Sequence, residues 1–207
     1  VIDIIHEEAR EDIYRLGGFN LSEHEMKSPV RMSGVRLKWL LLRFFGASIA
    51  AFMVFSLLKL LGASTQMTWL GTLFPIFISM TGGIGTQSST VVSEQLALRS
   101  DQRVKFWRLL GTEVFIGFVL GVFMSSIPLI LLISIQALSL KHAFLSTGLL
   151  ATGMLTAATA GTLLPYIFYR LGKDPALVTG SIIASVLDVI GIAAFALTLI
   201  IVNAGTV

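Results

Sequence analysis

Residues 176–202 read ALVTGSIIASVLDVIGIAAFALTLIIV, an apolar run with a single charged side chain, Asp188. An α-helix crosses a bilayer with roughly 20 such residues, so this stretch by itself argues for a membrane fold. Working back towards the N-terminus, four more apolar stretches appear, at 143–171, 106–138, 69–98 and 37–61. Each is long enough to cross. The stretches at 69–98, 106–138 and 143–171 exceed what a crossing needs, so their ends must tilt, bend or project. The expected fold is an all-α integral membrane protein with five transmembrane helices.

Composition supports this. Of 207 residues, 55% are hydrophobic and 13% are charged, where a soluble domain carries about 25% charged residues. A soluble surface of this size would need the charges that are missing. There is no cysteine, which excludes disulfides and thiolate metal sites. No catalytic constellation stands out, so no enzyme is expected. The expected partners are the lipid bilayer and no nucleic acid.

The one strongly polar stretch is 1–35, and it divides the chain into 1–35 and a membrane domain at 36–207. Ile2, Ala9, Ile13 and Leu16 recur near helical spacing, while Asp3, Glu7 and Glu11 lie at i, i+4 and i+8 beside Glu8 and Asp12. This pattern predicts a short amphipathic helix with an acidic stripe, ended by Gly17-Gly18. An acidic stripe of this kind reads either as a solvated face or as a cation-binding one. The charged opening is not a signal peptide. Because the first residue is Val1, the chain is expected to be a piece of a longer one.

Loop charges suggest an orientation. Lys27, Arg31, Arg36, Lys38 and Arg43 surround the start of the first span. Arg99, Arg103, Lys105 and Arg108 lie between the second and third, and Arg170 and Lys173 between the fourth and fifth. The opposite side has only Lys59 and Lys141 near helix ends. Basic residues are retained in the cytoplasm. The N-terminus is therefore expected inside and the C-terminus outside.

The carboxylates that stand out within apolar spans are Glu113 and Asp188. A carboxylate at membrane depth is expensive and normally faces a partner or a wet cavity. Asp188 lies roughly 18 Å into its stretch at 1.5 Å per residue, near the bilayer midplane. Ser181, Ala184 and Gly191 share its predicted face, a small and polar stripe that suits either a pore wall or a close helix contact. Glu113, five residues after Arg108, is expected to find a structural partner. In the second span, Gly82, Gly83 and Gly85 make a poor helix interior. Irregular backbone is tolerated at that depth where it is buried or lines water, and its carbonyls can orient a hydrated cation. Gly82 reaches a depth similar to that of Asp188 from the opposite side. All of these candidate ligands are oxygens, which suits magnesium, calcium or manganese.

The segment Met80-Thr81-Gly82-Gly83-Ile84-Gly85-Thr86-Gln87-Ser88-Ser89 resembles the signature of the MgtE magnesium transporter family, usually Gly-Gly-Asn-x-Gly-Thr-Gln-Ser. Leu171-Gly172-Lys173-Asp174-Pro175-Ala176, followed by Asp188-Val189-Ile190-Gly191, is similar to a second family segment. Glu7-Glu8-Ala9-Arg10-Glu11-Asp12-Ile13-Tyr14-Arg15-Leu16-Gly17 resembles the family's connecting or plug helix. The resemblance runs over essentially the whole chain in order. It implies a homodimer with five spans per chain and a magnesium pore on the dimer axis, lined by helices two and five. Asp188 would be the pore carboxylate holding hydrated Mg²⁺, Ala184 would offer a backbone carbonyl, and Gly82, Gly83 and Gly85 would complete the constriction. Glu11, Asp12 and Asp174 match positions that bind regulatory magnesium. The family's cytoplasmic sensor domains are absent from this sequence. Gly83 stands where the signature has Asn, and Ser181 where a Pro is common, so magnesium discrimination is expected to be weaker. Two other readings compete with this one. In the first, a proton- or sodium-coupled transporter uses Asp188 or Glu113. In the second, the chain is a structural subunit with no transport of its own.

Overall fold

The computed structural model describes residues 28–98, 106–175 and 180–204. The expected amphipathic helix of the acidic stretch, with Glu11 and Asp12, lies outside the described residues. Five helices follow: α1 (Pro29–Leu60), α2 (Thr65–Leu98), α3 (Phe106–Ser134), α4 (Leu140–Arg170) and α5 (Ser181–Ala204). All five are long and apolar enough to cross a membrane, so the chain is an all-α membrane protein.

The largest departure from the sequence reading is the start of α1. It begins at Pro29 rather than near residue 37, which places Arg31 and Arg36 on the helix instead of in the segment before it. Proline suits a first helical position because its φ is preset and its missing N–H would have had no partner there. Ser28 precedes it in extended conformation (φ −130°, ψ 119°).

Three helices end in the same way. At the close of α1, Ala63 N donates to Leu58 O and Gly62 N to Lys59 O. At the close of α3 the pairs are Ala137 to Leu132 and Gln136 to Ile133, and at the close of α4 Lys173 to Phe168 and Gly172 to Tyr169. This is the Schellman arrangement, which satisfies the last carbonyls and needs a left-handed residue just past the helix. Gly62 (φ +73°), Gly172 (φ +71°) and Gln136 (φ +50°) supply it. Short links of this kind, at 61–64 and 135–139, fold successive helices back antiparallel.

At the centre of the bundle, α2 packs on α1, α4 and α5, and α4 packs on α2, α3 and α5; α1 and α5 do not touch. Small residues set the closest crossings, as expected where lipid removes the usual hydrophobic incentive for helices to associate. A Cβ on Gly117 of α3 would lie 2.7 Å from Ala158 Cβ of α4, and one on Gly121 would lie 3.0 Å from Ala151 O. A Cβ on Gly161 of α4 would run into the backbone of Gly85 on α2. Phe195 of α5 packs edge-on against Phe74 and Phe77 of α2, at centroid distances of 5.1 and 5.6 Å. The outer faces carry large exposed apolar side chains such as Phe45, Phe52 and Phe118, which suit contact with lipid tails.

Candidate functional site

The last helix, α5, turns two faces in different directions. Ser181, Ala184, Ser185 and Asp188 lie along an exposed strip. Ile183, Leu187 and Gly191 face inward. Gly191 therefore leaves the stripe predicted for it. Its Cβ position would lie 2.5 Å from Thr81 Oγ1 and 3.3 Å from Ile78 Cα, so it allows close approach to α2. Asp188 makes no hydrogen bond or ion pair with the described residues. Among the described residues no three of His, Cys, Asp or Glu gather into a metal-binding cluster.

The glycine-rich segment of α2 is not irregular. The helix runs unbroken from Thr65 to Leu98, against the expectation of freed carbonyls. Hydroxyls bond back onto the ladder: Thr81 Oγ1 donates to Phe77 O at 2.7 Å, and Thr86 Oγ1 to Gly82 O at 2.7 Å. The glycines serve three different directions because successive residues turn by about 100°. A Cβ on Gly85 would run into Leu187 of α5 and lie 3.0 Å from Ala157 O of α4, so this glycine admits both helices. One on Gly83 would lie 2.9 Å from Leu40 Cδ2 and 3.2 Å from Arg43 Cδ and Nη1, so it faces α1. Gly82 is half-buried and has open space where a Cβ would be. With Leu187 packed opposite Gly85, and Gly191 opposite Thr81, Asp188 stands within about one helical turn of Gly82 in depth.

Downstream of these glycines, the Gln87 Oε1, Ser88 Oγ and Ser89 Oγ atoms are buried and make no hydrogen bond with the described residues. Glu94, a further carboxylate within the predicted span 69–98, is almost fully buried and partnered. Beside it, Ser93 Oγ donates to Pro175 O at 3.2 Å, tying the end of α2 to the segment after α4. Asp174 is exposed on that segment and is also partnered.

Glu113 finds its partner on α1, not in its own helix. Arg36 Nη1 donates to Glu113 Oε2 at 2.7 Å and Nη2 to Oε1 at 2.8 Å, and both side chains are fully buried. This is the planar two-bond geometry that guanidinium and carboxylate share. Arg36 stands just before the apolar run at 37–61, so the sequence pattern leaves it outside the first predicted span.

A family model described as a divalent cation transporter, MgtE, matches residues 74–198. That is more than half of the chain, and it contains the glycine-rich part of α2, Glu113, Asp174 and Asp188. This chain belongs to the MgtE divalent cation transporter family. The magnesium transporter MgtE of Enterococcus faecalis is 28% identical over 193 residues, covering 91% of this chain and 40% of its own length. Those of Thermus thermophilus and Bacillus subtilis are 27% and 26% identical, with 93% of this chain covered in each case. The chain thus spans about two-fifths of the length of the curated relatives it matches.

Proposed function

We propose that this chain forms the membrane pathway of a magnesium transporter, as its MgtE relatives are named. Two copies bring the open faces of α2 and α5 together around a shared axis, and Mg²⁺ passes into the cytoplasm down its electrochemical gradient. The observation that carries this reading is Asp188: a single carboxylate, unpaired among the described residues, on an exposed small-residue strip level with Gly82. One carboxylate is too little for a divalent ion leaving bulk water, whereas two related by symmetry, with water and carbonyls, match magnesium's preference for keeping much of its hydration. Ala184, one turn from Asp188 on the same strip, is positioned to offer its carbonyl. Gly82 leaves room for a hydrated ion, while Gly83 and Gly85 act by admitting α1, α4 and α5 close to α2. The basic ends of the helices lie in the cytoplasm, with the C-terminus outside. Glu11, Asp12 and Asp174 bind regulatory magnesium on the cytoplasmic side, where sensor domains would act in a longer chain.

The coupled-transporter reading is weaker for Glu113, both of whose oxygens are held by Arg36, and so it rests on Asp188 alone. The test is magnesium uptake by liposomes, with binding measured by calorimetry, for the wild type and Asp188→Asn. Uptake at low magnesium should fall steeply in a well-folded variant. Normal binding and uptake would overturn the assignment, and uptake that follows a proton or sodium gradient rather than voltage would favour the coupled mechanism.

A further inference from the structure

Arg43 is a second charge at the depth of Asp188. It lies in the apolar body of α1, is exposed, and makes no hydrogen bond or ion pair with the described residues. Its Cδ and Nη1 come within 3.2 Å of the point where a Gly83 side chain would begin, so the absence of a side chain at 83 is what lets the arginine lie along α2. A guanidinium at membrane depth is expensive unless it is paired or meets water, and here none of the described residues pairs it.

The surroundings indicate where the charge acts. On α2, Thr81 and Gly85 face α4 and α5, Gly83 faces α1, and the half-buried Gly82 and Thr86 lie on the open face between. Because α1 and α5 do not touch, that open face is the floor of a groove. Asp188 stands on the α5 wall and Arg43 on the α1 wall, within about one helical turn in depth. These are opposite charges flanking one floor, and neither is neutralised by the described residues.

We infer that Arg43 is a specificity-determining residue of the ion pathway: its fixed positive charge opposes cations at Asp188 and so sets the magnesium concentration at which the pathway fills. This inference rests on the reading of Asp188 as the pathway carboxylate. The effect is Coulombic, so it scales with ion charge. If removing the guanidinium changes divalent affinity roughly ninefold, monovalent affinity changes only about threefold, the square root.

The experiment uses the full chain in liposomes, comparing wild type with Arg43→Gln, Arg43→Leu and Arg43→Lys, each with and without Asp188→Asn. Both neutral variants should lower the half-saturating magnesium concentration at least threefold, and sodium inhibition should shift by no more than the square root of that factor. Arg43→Lys, which keeps the charge, should stay within about twofold of wild type. The gain should vanish in the Asp188→Asn background. Using two neutral variants of different polarity guards against one that fails to fold. Unchanged half-saturation in both, with Asp188→Asn still defective, overturns the role of Arg43 and leaves the pathway standing. Equal shifts for Lys, Gln and Leu also overturn it, because they would report packing against Gly83 rather than charge. An indifferent Asp188→Asn would instead overturn the pathway reading itself.

Discussion

Replacing Glu113 by Gln keeps the size and shape of the side chain but leaves the Arg36 guanidinium buried beside an uncharged amide. In the native chain two charge-assisted bonds of 2.7 and 2.8 Å join the pair, and neither side chain has any exposed surface. Removing one partner of a fully buried pair costs about 3–5 kcal/mol. At roughly 2–4 °C per kcal/mol for a chain of this size, the melting temperature in detergent should drop by roughly 6–20 °C. Arg36→Met should cost about as much, since it strands the carboxylate instead. The double variant Arg36→Met with Glu113→Gln removes both charges, and replacing a whole buried pair is often close to neutral, so it should recover most of the loss. The assay is thermal unfolding followed by fluorescence or by loss of the monodisperse peak on size exclusion, run as a double-mutant cycle. A Glu113→Gln shift below about 2 °C, or a double variant no better than the worse single, would refute the pair as a structural clamp between α1 and α3. The same proteins bear on function. A stable double variant that still takes up magnesium keeps Glu113 out of the ion path, and a stable but inactive one puts it there.

Gly161→Ala should be badly tolerated, because the new methyl meets the Gly85 backbone rather than a movable side chain; expression and thermal unfolding should both fall, whereas Gly148→Ala, with open space around it, should behave as wild type. Gly83→Asn should fold, since its new atoms meet only the ends of Leu40 and Arg43; by displacing the guanidinium and adding an amide it should sharpen the preference for magnesium over manganese and calcium in uptake assays. Because the chain has no native cysteine, single substitutions at Ala63 and Lys173 report topology directly; an impermeant thiol reagent added to intact cells should label the first and spare the second, and the reverse pattern would invert the proposed orientation.

How much of this was legible in the sequence follows from the range of the forces involved. Five spans could be read from the residues because a bilayer imposes a length and a polarity that each helix must meet alone. Gly62 and Gly172, which stand just past helix ends, are local signals of the same kind. Asp188 could be singled out because a lone carboxylate in an apolar run has few explanations. The sequence could not say which glycine serves which neighbour. Gly82, Gly83 and Gly85 look equivalent in a string, and only the packing of α1, α4 and α5 around α2 separates open space from close contact. It also suggested a broken helix where a continuous one packs closely against α1, α4 and α5. Arg36 stands before the apolar run at 37–61, and only the start of α1 at Pro29 brings it onto the same helix as Arg43. Arg36 then depends on a carboxylate 77 positions away, and Arg43 on the absence of a side chain at Gly83. Local length and polarity are written residue by residue, whereas the pairing of charges and the choice of packing faces are properties of helices already assembled.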